Sequence, residues 1–211
     1  MTPQVPRPRI QGLSDLIFGL ALSIGALQFV GNLPLDSGQL SLDLAEFGFS
    51  FLILINVWNR YTATTSVMPV ETYGMIRLNL LLLFLVAIEP FLFDILFVKG
   101  LGTPVGVGAS LYYGVDIGCM NLILAYFTHV LASEERNLIP RGLIDRYKVI
   151  RNLLVVGAAM FLVSDLPFFG EFGVGGVPLR AIIWFLSLPV MWLPRRLGTK
   201  TQPFPGRLMP A

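Results

Sequence analysis

Six apolar stretches, each long enough to cross a bilayer, constrain this chain more than any other feature. They fall at roughly 13–33, 42–60, 77–98, 105–131, 149–166 and 177–194, and a spanning helix needs about 20 mostly apolar residues. Inside lipid the backbone must satisfy its own hydrogen bonds, so uniformly apolar segments of this length predict helices rather than barrel strands. Composition agrees: the 211 residues are 55% hydrophobic and 13% charged, against about a quarter charged in soluble domains. The predicted fold is therefore all-α, a polytopic membrane protein with six transmembrane helices over residues 1–194. A basic tail rich in Pro and Gly follows over 195–211 and is expected to be disordered. The first apolar run is too long for a signal-peptide core and is expected to stay as a helix.

An even number of spans puts both termini on one side, and the basic residues say which. Arg7, Arg9, Arg60, Arg77, Arg136, Arg141, Arg146, Lys148, Arg151, Arg195, Arg196, Lys200 and Arg207 fall with the termini, and only Lys99 and Arg180 fall opposite. That asymmetry predicts a cell-membrane protein with both termini cytoplasmic. Asp36, Asp43, Glu46, Asp94, Asp165 and Glu171 lie on the outer side. They either form a negative mouth that concentrates cations or merely follow from the inward sorting of lysine and arginine. The linker "ASEERNLIPRGLIDRYK" is the longest internal loop, with room for a short surface helix, and "GEFGVGGVP" reads as an outer turn. Nothing predicts an enzyme: no nucleophile–base pair, metal-spaced cluster or phosphate loop is present, no cofactor is implied, and the net charge of +2 is too small for nucleic acid. Cys119, the one cysteine, reads as a small packing residue.

The first apolar run, "RIQGLSDLIFGLALSIGALQ", opens with a charged knot and then carries no charge. With Leu16 at zero on a helical wheel, Leu20, Ser23 and Leu27 fall at about 40°, −20° and 20°. Gly19 and Ala26 flank this stripe, and small residues let helices approach closely. Repeated around an axis, the stripe would make an apolar, dewetting constriction with a ring of hydroxyls. Leucine at such spacing also packs ordinary bundles, and the stripe alone does not separate the two readings.

Asp15 sits about 100° from the stripe and points into its own subunit, and Arg9 lies six positions away, off its face. Each therefore needs a partner on another helix. The second helix ends inside with Asn56, Trp58, Asn59 and Arg60, and the third begins inside with Arg77 and Asn79, all at the depth of Arg9, Ser14 and Asp15. Polar groups in spans are costly and face a partner or a water-filled space. A plainer reading makes Ser14 and Asp15 a helix N-cap.

Arg9-x-x-x-Leu13-Ser14-Asp15 resembles the R-x-x-x-F-S-D signature that opens the first helix of the transmembrane protein 175 family of potassium channels. "FGFSFLILINVW" is similar to the family's second helix and "RLNLLLLFLVAIEPF" to its third. The resemblance implies a homotetramer of six-helix subunits whose central pore, permeable to K+ and other monovalent cations, is lined by the first helix. It implies a main apolar constriction at Leu20, further constrictions at Leu16 and Leu27, a hydroxyl layer at Ser23, and no T-V-G-Y-G filter. Arg9, Leu13, Ser14 and Asp15 would position the pore helix. The chain departs from the family at Leu13, where phenylalanine is usual, and at Asn59, Arg60 and Tyr61, where bacterial members often carry histidines. His129, the only histidine, reads as interfacial.

A rival reading starts from Glu89 and Asp116, two acids both about 10 Å below the outer surface at 1.5 Å per residue. Paired intramembrane carboxylates serve proton-coupled carriers, and on that view the leucine stripe is packing. Alternatively Arg180 neutralises one acid and the pair is structural.

Overall fold

Seven helices and one short hairpin make up the computed structural model, which describes residues 8–31, 34–68, 72–101, 103–136, 138–174 and 177–192. The helices are α1 (Pro8–Gly31), α2 (Ser37–Thr65), α3 (Tyr73–Lys99), α4 (Pro104–Leu131), α5 (Arg141–Ser164), α6 (Pro167–Glu171) and α7 (Leu179–Trp192). Strands β1 (Gly173–Val174) and β2 (Val177–Pro178) pair antiparallel within the expected outer turn, Gly173 opposite Pro178 and Val174 opposite Val177. The expected tail, 195–211, lies outside the described residues.

Three of these helices, α2, α3 and α4, begin before their apolar runs because polar caps, not hydropathy, set their first turns. Asp36 accepts from the Gln39 amide at 2.8 Å and opens α2. Thr72 does the same for Met75 at 3.3 Å, and Thr103 for Gly106 at 3.0 Å, with Pro104 in the first turn of α4. The 29 residues of α2 span about 43 Å. Among the described residues α2, α3, α4 and α5 are long and apolar enough to cross a bilayer. Shorter apolar stretches lie at Gly12–Leu27 in α1 and Leu179–Val190 in α7.

Among the described residues the internal linker holds an exposed 3-10 turn at Glu134–Arg136 ahead of α5, whose first turns bury Ile144 and Tyr147 and expose Asp145 and Arg146. The amphipathic pattern of that linker is thus the start of a spanning helix. Lys148 reaches back to Glu134 at 2.5 Å across this corner.

Helix α4 is the centre of the bundle, with 72% of its apolar window buried against 33–39% for the other three long spans. It lies between α3 and α5. Gly114 and Gly118, one turn apart, let α5 approach closely: an added Cβ would meet Asp165 at the first and Leu162 at the second. Tyr113, Ile117, Met120, Leu124 and Leu131 fill the core from α4. Around Tyr113 gather Trp184, Phe93 and Phe161, with ring centroids at 5.1, 5.6 and 6.4 Å.

Candidate functional site: the outer face of α1 and the buried acid pair

Helix α1 has two opposed faces. Ser14, Phe18, Ala21 and Gly25 are buried against α2 and α3. On the wheel they fall at about 140–200°, diametrically across from the leucine stripe. On the other side Leu16, Leu20 and Leu27 are 67%, 57% and 64% exposed, and Ser23 lies exposed among them. Leu13, Gly19 and Ala26 flank the stripe and are exposed too. Ser23 donates its hydroxyl to the Gly19 carbonyl at 2.8 Å. The oxygen lone pairs stay available to a ligand on the open side.

The charged knot is tied to α2. Ser14 Oγ and Tyr61 Oη share a buried hydrogen bond of 2.7 Å, and Trp58 Nε1 donates to Asp15 Oδ1 at 3.1 Å. Trp58 and Tyr61 stand one turn apart on α2 and meet consecutive residues of α1. Phe18 packs on the Tyr61 ring, centroids 5.8 Å apart. Because α1 starts at Pro8, Ser14 and Asp15 lie well inside the helix, which removes their reading as an N-cap. Arg9 sits in the first turn, and its side chain lies outside the described residues.

The remaining inner polar residues take different places. Asn59 bonds back to the Ile55 carbonyl at 2.7 Å, and Arg77 is exposed. Asn56 and Asn79 are buried, with Asn56 Nδ2 and Asn79 Oδ1 unpartnered among the described residues. Asn56 and half-buried Arg60 line a shallow crevice with Ile150, Leu153 and Leu154 of α5. His129 is exposed beside Arg151, 3.3 Å from its guanidinium.

Glu89 and Asp116 are both brought into the core. Glu89 is fully buried and accepts from Ser50 Oγ at 2.9 Å and from Tyr113 Oη at 3.3 Å. Asp116 is buried in electrostatic reach of Glu89, and neither of its oxygens has a hydrogen-bond partner among the described residues. Arg180 is not their neutralising partner. Its guanidinium donates to Ser110 Oγ and faces Asp165, in space left by Gly170. Of the outer acids, Asp36 has structural work as the cap of α2.

Tyr61, Ser50 and Tyr113 were not picked out from the sequence as partners. Their hydroxyls sit in apolar helices at no diagnostic spacing, and only helix register brings them to Ser14 and Glu89. The Gly114-x-x-x-Gly118 spacing was a readable signal of close helix packing.

Comparison with known proteins bears out the resemblance. A family model described as endosomal/lysosomal potassium channel TMEM175 matches residues 9–90, the first three helices up to the proline of α3. No curated protein sequence matches significantly. Among solved structures, the chain is similar to a lysosomal potassium-selective channel TMEM175 homolog from Chamaesiphon minutus. That match has a TM-score of 0.60 at 21% identity and covers 88% of this chain and 95% of that one. It is also similar to a variant of the potassium channel MtTMEM175, crystallised with a nanobody fusion protein. There the TM-score is 0.57 at 16% identity, with 95% of each chain covered. The first three helices thus carry the family's sequence pattern, and nearly the whole chain has the fold of its solved homologues.

Proposed function

We propose that this chain, a polytopic α-helical membrane protein of TMEM175 type, forms a potassium-permeable cation channel. Four copies assemble in the cell membrane with both termini cytoplasmic, each crossing six times, and α1 of each copy lines a central pore. The observation that carries this reading is the division of α1 into two faces. One face is locked into its own subunit through Ser14, Phe18, Ala21 and Gly25, and the other presents Leu16, Leu20, Ser23 and Leu27 outward.

Three leucine layers around an axis would hold a narrow, easily dewetted path, and a hydroxyl ring at Ser23 would offer oxygen to a partly dehydrated cation. Selectivity would then come from pore width and hydroxyl oxygens, since the sequence holds no T-V-G-Y-G stretch. The knot at Ser14 and Asp15 fixes the rotation of α1 so that the stripe faces the axis. The test is Leu20→Ala in planar bilayers. Removing bulk from a dewetted ring lowers the barrier, and about 1.4 kcal/mol less barrier is tenfold more current. Unchanged basal current would take the constriction away from Leu20.

A proton-coupled carrier using Glu89 and Asp116 is the second reading, resting on their shared burial. It ranks lower because a carrier's acids must meet each surface in turn, whereas Glu89 is enclosed by Ser50, Tyr113 and the aromatic wall of α4 and α7.

A further inference from the structure

At the outer end of the bundle, the connection from α5 to α7 is sorted inside out for a loop in water. Leu166, Phe168, Phe172, Val174 and Val177 are 45–67% exposed, and among its described residues Glu171 is the one exposed charged side chain. The charged groups at its two ends turn inward instead. An added Cβ at Gly114 of α4 would meet the Asp165 carboxylate, whose two oxygens are buried. Arg180 is 3% exposed and donates to Ser110 Oγ. Phe168 packs on Phe172, centroids 4.6 Å apart, so the two exposed rings form one patch. A water-facing loop places charged and apolar groups the other way round, and a contiguous apolar patch marks a contact with something apolar.

Two rulers along the helices put this patch at membrane depth. Although α5 is long enough to cross, its first turns carry Arg141, Asp145, Arg146, Lys148 and Arg151. Arg151 and Asn152, gathered with His129 of α4, mark the inner boundary. From Arg151 to Ser164 the helix rises only about 20 Å, against a hydrocarbon core of about 30 Å. On α4, Gly114 is level with Asp165, and that helix continues to Pro104, about 15 Å further out. The connection therefore begins beside the outer turns of α4, about 10 Å short of the far boundary. Its backbone suits that depth, since the amides of Leu166, Phe169, Phe172 and Leu179 all donate to carbonyls of residues 163–172. We propose that α6 and the β1–β2 hairpin are seated in the bilayer leaflet at the far end of α5, the outer one in the orientation proposed above. Lipid acyl chains and glycerol groups lie against Leu166, Phe168, Phe172, Val174 and Val177. An interfacial element buries its apolar side about 5–10 Å into the headgroup–acyl boundary, which matches the gap left by α5. Glu171, exposed at the end of α6, reaches the headgroups. Lipid thus completes the outer end of the subunit, in a contact separate from the α1 stripe.

Spin labelling of the full chain in lipid nanodiscs tests this. A nitroxide is attached to Phe172→Cys in a Cys119→Ala background. Its relaxation by oxygen, which concentrates in lipid, is compared with its relaxation by a water-soluble nickel chelate. A label on Glu135→Cys, in the exposed turn before α5, is the aqueous reference. The oxygen-to-nickel ratio for Phe172→Cys is expected to exceed that reference several-fold. A ratio equal to the reference would place the loop in water and overturn the proposal. Low accessibility to both reagents would mean that protein, such as a second copy, covers the patch, and would overturn it equally. Should Phe172→Cys fail to fold, Val174→Cys, at the most exposed position of the patch, supplies the same readout. No current is measured, so failure here leaves the channel reading standing, and absence of current leaves this inference standing.

Discussion

Replacing Gly118 by alanine would put a Cβ 2.8 Å from both Cγ and Cδ2 of Leu162. Optimal carbon–carbon contact begins at about 3.5 Å, so α4 or Leu162 must give by about 0.7 Å. Cγ is the branch point of that leucine, not its free tip, and rotating the terminal methyls does not relieve the contact. Overpacking of this kind costs about 1–3 kcal/mol. The same substitution returns about 0.8–1.0 kcal/mol in helix propensity. The clash wins, with a net loss of up to about 2 kcal/mol. Denaturation of the purified protein in mild detergent measures it, with Leu162→Ala as the companion variant. If the contact is the cause, the double variant should be more stable than the sum of the two singles by about 1 kcal/mol. Zero coupling to Leu162 would refute the close approach of α4 and α5 at this point.

Other expectations concern the knot and the surface. Ser14→Ala removes the bond to Tyr61 and should cost about 1 kcal/mol, the scale of interhelical hydrogen bonds in membranes; unchanged denaturation would contradict it. Asp15→Ala and Trp58→Phe break the same 3.1 Å bond and should impair assembly or opening more than ion preference, read by native mass and single-channel current. A normal tetramer with normal current in both would remove the positioning role. Glu134, bonded to Lys148, has its carboxyl held below the usual range. Any stability from this pair is present above the ordinary carboxylate pKa and lost as pH falls through the lower folded value. Because the pair is exposed, Glu134→Gln should differ only slightly from the native protein at neutral pH, and the difference should vanish in acid. A large difference that persists in acid would assign Glu134 another role.

What was legible in the sequence follows from which forces act locally. Hydropathy located the long helices, because a bilayer demands uniformly apolar runs, but their ends depended on Asp36, Thr72 and Thr103. The two faces of α1 could be read from the wheel, since Ser14, Phe18, Ala21 and Gly25 fall opposite the leucines by geometry alone. Partners were harder. Ser14 meets Tyr61 only through the register of α1 on α2, and Glu89 finds Ser50 and Tyr113 only through three-helix packing. Arg180 escaped the simple expectation of pairing with an intramembrane acid, because Gly170 and Gly114 leave room for its guanidinium and for Asp165 at the end of the bundle. The start of α5 was hidden in an apparent linker because its polar face outnumbers Ile144 and Tyr147.

The central claim is that the outward face of α1 conducts cations, and the reversal potential of the purified protein addresses it most directly. Potassium chloride would face sodium chloride across a planar bilayer. A steady current reversing toward the potassium equilibrium potential is the predicted result. Absence of current, with uptake into liposomes driven by a pH gradient instead, would contradict the channel and move the activity to Glu89 and Asp116.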